Sequence, residues 1–140
     1  MKKENIIIGA ITGFVLGIIS LAMAFLLPTI CSVEMAKRIV MWFSVCTNPL
    51  VTCGFVLFTT GSLAEWLVFV VASAIFWTSI FYIKAGPIGA IDIRDALLIS
   101  IGIIVCTLDA VLAPTPEFFM RWMWSGAIPI MAGLVFYTRR

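Results

Sequence analysis

Residues 6–27 read IIIGAITGFVLGIISLAMAFLL and are closed by Pro28. At 1.5 Å of rise per residue, about 20 apolar residues cross a hydrocarbon core of roughly 30 Å. This stretch is long enough to do so, and it carries no charge along its length. The preceding Met1-Lys2-Lys3-Glu4 resembles the start of a signal peptide, and Ala22-Met23-Ala24 imitates a cleavage site. The length of the apolar run favours a first membrane helix that is retained.

Working outward, four more segments share this character. The second covers about 39–60, with a start nearer Val33 as the alternative. The third covers 63–83 and ends at Lys84 and the turn residues Gly86-Pro87. The fourth covers 93–113 and stops at Pro114. The fifth covers about 117–138 and finishes at Arg139-Arg140. The sequence therefore predicts an all-α integral membrane protein, a single bundle of about five transmembrane helices over residues 1–140. Four is the alternative if Glu117–Trp124 lies along the interface. The longest loops, near 28–38 and 84–92, are too short for a soluble domain.

Composition agrees. Of 140 residues, 63% are hydrophobic and 11% charged, against roughly 45–50% and about 25% in soluble proteins. So few charges cannot shield that much apolar surface from water, whereas a bilayer does not require it. A net charge of +2 without a basic run gives no footing for nucleic acid. Histidine is absent, which excludes imidazole catalysis and histidine-ligated haem or zinc. The four cysteines (Cys31, Cys46, Cys53 and Cys106) form no C-x-x-C pair. No cofactor, metal site or catalytic constellation is expected, and the chain is not expected to be an enzyme.

Local signals mark the helix ends. Ser62-Leu63-Ala64-Glu65 is a capping box. Asp92 and Asp95 place negative charge at the start of the fourth helix. Pro116 suits a first turn, where its missing N–H costs nothing. Trp42, Trp66, Tyr82, Trp122, Trp124 and Tyr137 lie near segment ends, where aromatic belts form. Trp77 is deeper, packed or facing lipid.

Three features could carry function. Gly9, Gly13 and Gly17 repeat every four residues, so one face of the first helix is a groove without side chains. Close van der Waals approach drives helix association in lipid. The groove predicts either a contact within the chain or self-association of first helices. Gly102, Cys106 and Ala110 form a weaker second face of this kind. Asp109 lies inside the fourth segment, where a carboxylate is costly unless paired. Arg121 stands at a similar depth across the turn, so an Asp109–Arg121 pair is expected, with Glu117 four residues away sharing Arg121. Asn48-Pro49 interrupts the second helix near mid-membrane and predicts a kink. A second bend is expected around Pro129.

These features predict a homo-oligomeric or accessory subunit of a membrane complex. Its partners would be membrane lipids and either further copies or another membrane protein. The alternative is a small oligomeric channel or transporter using Asp109 and the Asn48-Pro49 kink. A plasma (inner) membrane location is expected. With five spans the positive-inside rule favours a cytoplasmic C-terminus and an outer N-terminus, against the preference of Lys2 and Lys3.

Overall fold

The structure is a computed structural model that describes residues 2–54, 62–84, 88–89 and 91–139. Among these, all regular structure is helical: α1 (Lys2–Leu26), α2 (Val33–Thr47), α3 (Pro49–Gly54), α4 (Leu63–Ile83), α5 (Ile93–Leu112), α6 (Pro116–Trp122) and α7 (Trp124–Thr138). A short 3-10 turn, Leu27–Thr29, follows α1. Residues 55–60 of the second segment, and Gly86 and Pro87, lie outside the described residues.

Short polar side chains start the helices. Ser32 accepts from Met35 N, Ser62 from Glu65 N, Asp92 from Ile93 N and Thr115 from Phe118 N. Each satisfies an N–H that has no partner within its helix. In a chain this apolar, such caps fix where helices begin more sharply than hydropathy does.

Two antiparallel pairs form the body. In the first, α1 lies on α4: Gly9 faces Trp77 and Thr78, Gly13 faces Ser73 and Ala74, and Gly17 faces Val70. In the second, α5 lies on α7: Gly102 faces Gly126 and Ile130, and Gly133 faces Asp95 and Ile99. Helix α2 runs between them. Its Trp42 Nε1–H donates to Thr107 Oγ1 of α5 at 2.9 Å. Packed side chains from α2 to α7, among them Val45, Phe76, Cys106, Phe119 and Ile130, make the main apolar core.

This arrangement corrects the expected course of the second and fifth segments. Among the described residues three helices, α1 with its 3-10 turn, α4 and α5, are long and apolar enough to cross a membrane, and the count is four when the bent pair α6–α7 is taken as one span. The second segment is not one helix over 39–60. It begins at Val33, breaks at Asn48 and resumes as the short α3. The residue before a proline is pushed out of the α region, and Asn48 sits at φ −139°, ψ 66°. The chain then turns back: Val51 packs against the cluster of Val40, Trp66 and Phe69 as well as against the main core, and Trp66 and Phe69 lie in the half of α4 from which the second segment came. Because α1 and α4 are antiparallel, Leu26 and Leu63 lie at the same end of the bundle. The fifth segment bends by 44° at Met123, and Pro129 sits inside α7.

The described chain ends also meet at one end of the bundle. There Lys2 Nζ donates to the carbonyls of Tyr82 and Lys84. The Lys84 ammonium, nearly buried, stands 4.8 Å from the centre of the Tyr137 ring. Asp95 is fully buried in the first turn of α5, where the helix dipole favours a negative charge.

Candidate functional site

The glycine groove and the Asn48-Pro49 break, separate in sequence, meet at one place. Ser73 lies on the α4 face that enters the α1 groove, and its Oγ stands 2.7 Å from the Gly13 carbonyl oxygen and 2.9 Å from Asn48 Oδ1. A hydroxyl has one proton, so Ser73 donates to one of these acceptors at a time. Trp77 Nε1–H, one turn along α4, points at Asn48 Oδ1 (3.1 Å) and at the Thr47 carbonyl (3.0 Å). An indole nitrogen only donates, which fixes the orientation of the Asn48 amide. Asn48 Nδ2 in turn lies 3.3 Å from Thr47 Oγ1.

The break itself is sealed from its own helix. Pro49 has no N–H, so the usual bonding cannot continue through it. Thr52 Oγ1–H instead reaches back eight residues to the Ser44 carbonyl at 2.7 Å. In a straight helix eight residues span about 12 Å, so this bond exists only because the backbone reverses. Asn48, Thr52 and Ser73 are all completely buried. Ser44 Oγ, also buried, has no hydrogen-bond partner among the described residues, which leaves the node one unused hydroxyl.

Chemically, this node joins three helices by neutral hydrogen bonds in an apolar interior. No ionisable side chain takes part in its hydrogen bonds. Asn48→Ala is expected to destabilise the protein by about 1–3 kcal/mol, the scale of a buried polar loss. Its coupling to Ser73→Ala should be about 0.6 kcal/mol, the average for interhelical hydrogen bonds in membranes. Denaturant unfolding of both single variants and the double in mild detergent measures this. Strictly additive losses would show that the two side chains do not act as a unit.

The other expected residues are distributed differently. Gly102 and Cys106 pack on Gly126, and a Cβ added at Gly126 would strike the Cys106 sulfur. Ala110 is buried beside them. The expected Asp109–Arg121 pair is not formed. Asp109 Oδ2 accepts from Ser125 Oγ at 2.6 Å, and no ion pair joins it to Arg121 among the described residues. Arg121 and Glu117 are exposed on α6. The reason is the bend at Met123. It turns α6 away from the line of α7, so a register counted along one straight helix fails at Arg121.

Arg38 is the residue least legible from sequence, which does not single it out. Its Nη1 donates to the carbonyls of Ala110 (2.9 Å) and Ala113 (2.6 Å), and its Nη2 to that of Pro114 (3.0 Å). Glu34 Oε1 completes the set at 3.3 Å. The signal was present in Pro114, whose missing N–H leaves the Ala110 carbonyl without its helical donor. What could not be read was which cation would supply the replacement. Gly126 and Gly133 were also missed. Their seven-residue spacing is the mark of one helix face.

No group of three or more metal-ligating side chains is assembled among the described residues. The chain matches no protein family, no curated protein and no solved structure.

Proposed function

We propose that this chain is a four-span integral membrane protein that serves as a non-catalytic subunit of a membrane assembly. In this reading α1, α4, α5 and the bent α6–α7 pair cross the bilayer, and α2–α3 dips in and returns to the side it entered from. Long apolar side chains along the outer faces support the placement. On α5 the exposed residues Ile93, Leu97, Ile101, Ile104 and Leu108 recur at helical spacing. Irregular backbone at membrane depth is tolerated where protein buries it, and the Asn48 break is fully buried.

An even number of crossings also removes the conflict over orientation. Lys2, Lys3, Lys84, Arg94 and Arg139 then share one side, and Lys37, Arg38 and Arg121 the other. The positive-inside rule assigns the first side, with both chain ends, to the cytoplasm.

One observation carries the subunit reading. The side chains of Asn48, Thr52 and Ser73, which a conducting path would use, are enclosed and hydrogen-bonded within the bundle, so the described part of a single chain reads as a closed block. Such a block acts through its outer faces, on further copies or on another membrane protein. The second reading, an oligomeric channel, draws on the half-buried Asp109, bonded to the exposed Ser125. In a symmetric ring several such acids could line an axis.

The test is purification in mild detergent with identification of whatever co-purifies, together with topology reporters fused to each end. Stoichiometric assembly with copies or a foreign membrane protein is expected, with both reporters cytoplasmic. Reporters on opposite sides would refute the four-span arrangement. A lone monomer that passes ions or water across liposomes would refute the subunit reading, and flux abolished by Asp109→Asn in a ring of copies would favour the channel.

A further inference from the structure

The end of the bundle opposite the chain termini holds a cavity of about 310 Å³. It lies between the end of α1, the first half of α2, the start of α4 and α6. Its walls are mainly apolar: Val40, Met41, Trp66 and Met120 are among them. Trp66 is almost wholly buried and braced edge-on by Phe69, with ring centres 5.3 Å apart, so this wall is rigid. The volume is near the lower end of the roughly 300–1,000 Å³ typical of small-molecule sites.

Two charged side chains also line it, Lys37 from α2 and Glu117 from α6. Both are exposed, so they stand at its mouth rather than its base. They form no ion pair with each other: Glu34, not Glu117, carries the ion pair on α2, and it goes to Arg38. An apolar well with a cation and a carboxylate at its rim, neither in an ion pair among the described residues, is complementary to a molecule that has an apolar chain, an anion and a cation in close sequence.

We infer that this cavity binds one phospholipid whose headgroup carries a primary ammonium beside its phosphate. The acyl chain fills the apolar well, the Lys37 ammonium meets the phosphate, and the Glu117 carboxylate accepts N–H bonds from the lipid ammonium. A quaternary ammonium has no N–H to give, and a glycerol headgroup has no cation. Either headgroup loses one of the two polar contacts. The inference needs the chain to sit in a bilayer but does not depend on the subunit role.

The experiment reconstitutes the full chain in bilayers of equal parts phosphatidylethanolamine, phosphatidylcholine and phosphatidylglycerol. The lipids retained after gentle release are then weighed by native mass spectrometry. Phosphatidylethanolamine is expected at about threefold over each competitor, the scale of one exposed charge contact. Glu117→Gln should reduce that preference by about half or more, whereas Lys37→Gln, whose phosphate contact all three lipids share, should lower the retention of all three alike. Both positions are exposed, so folding is little disturbed. Ala24→Phe, on the cavity wall, should remove the retained lipid altogether. Equal retention of the three lipids, a preference unchanged in Glu117→Gln, or a total retention unchanged in Lys37→Gln would overturn the site. So would a lipid-free dimer that Ala24→Phe converts to monomer, because a second copy would then be the occupant. Failure of the topology test would leave these lipid ratios standing on their own.

Discussion

Gly13→Leu is expected to separate α1 from α4 and to lower stability by about 3 kcal/mol or more, the upper end of overpacking penalties. A Cβ at Gly13 would collide with the Ser73 carbonyl oxygen and would stand 2.6 Å from the Ala74 Cα. Both obstacles are backbone, so no side-chain rotation relieves them. The helices must move apart, and with them goes the Ser73 bond to the Gly13 carbonyl. Even Gly13→Ala should cost about 1–3 kcal/mol for the same reason. Gly54→Ala is the control: a Cβ there meets nothing within 4 Å among the described residues, and its effect should stay within about 0.5 kcal/mol. Thermal unfolding in mild detergent measures all three. Apolar helices keep their internal hydrogen bonds in lipid or detergent, so helical circular dichroism should persist while tryptophan fluorescence from Trp66 and Trp77 changes. A Gly13→Leu protein as stable as the Gly54→Ala control would remove the α1–α4 groove from the account.

Arg38→Leu should have the next largest effect, about 3 kcal/mol. That is the scale of losing a charged hydrogen bond while carbonyls are left unsatisfied. The guanidinium serves three carbonyls at the end of α5, one of which, Ala110, is deprived of its helical donor by Pro114. Its positive charge also suits the negative end of the α5 dipole. Arg38→Lys should recover less than half of the loss, because a single ammonium lacks the planar fork that reaches carbonyls on two sides. Glu34→Gln should change stability by no more than about 0.5 kcal/mol, since Glu34 is exposed and the pair lies at i,i+4. If Glu34→Gln proved as damaging as Arg38→Leu, the ion pair and not the helix cap would be the important contact.

The contrast between Arg38 and Asp109 shows how far the sequence could be read. Both are charges near helix ends, and depth alone marks Asp109 as the one needing a partner. The partner chosen by counting residues about the turn, Arg121, fails because α6 and α7 are not collinear. Asp109 takes the hydroxyl of Ser125, the residue that follows Trp124 at the start of α7. Arg38, by contrast, has an i,i+4 carboxylate in Glu34, and the sequence does not single it out. Its true task appears only when α2 is laid against the end of α5. The glycine groove fared better, because spacing alone defines a face, yet spacing could not say whether that face would meet α4 or another copy. The groove is filled by α4 of the same chain.

What the sequence determined by itself was everything that follows from local chemistry. Apolar length gave the long helices, short polar side chains gave their starts, Pro49 dictated an interruption at Asn48, and glycine spacing marked a face for close approach. These are set within a few residues, because backbone hydrogen bonds and φ/ψ limits act at that range. The tertiary structure alone decided how many of those segments run the length of the bundle, which way the chain leaves the Asn48 break, and which donor meets each orphaned acceptor. Those outcomes depend on the direction in which packed helices point, and a bend of 44° at Met123 or a reversal at Asn48 redirects every residue beyond it.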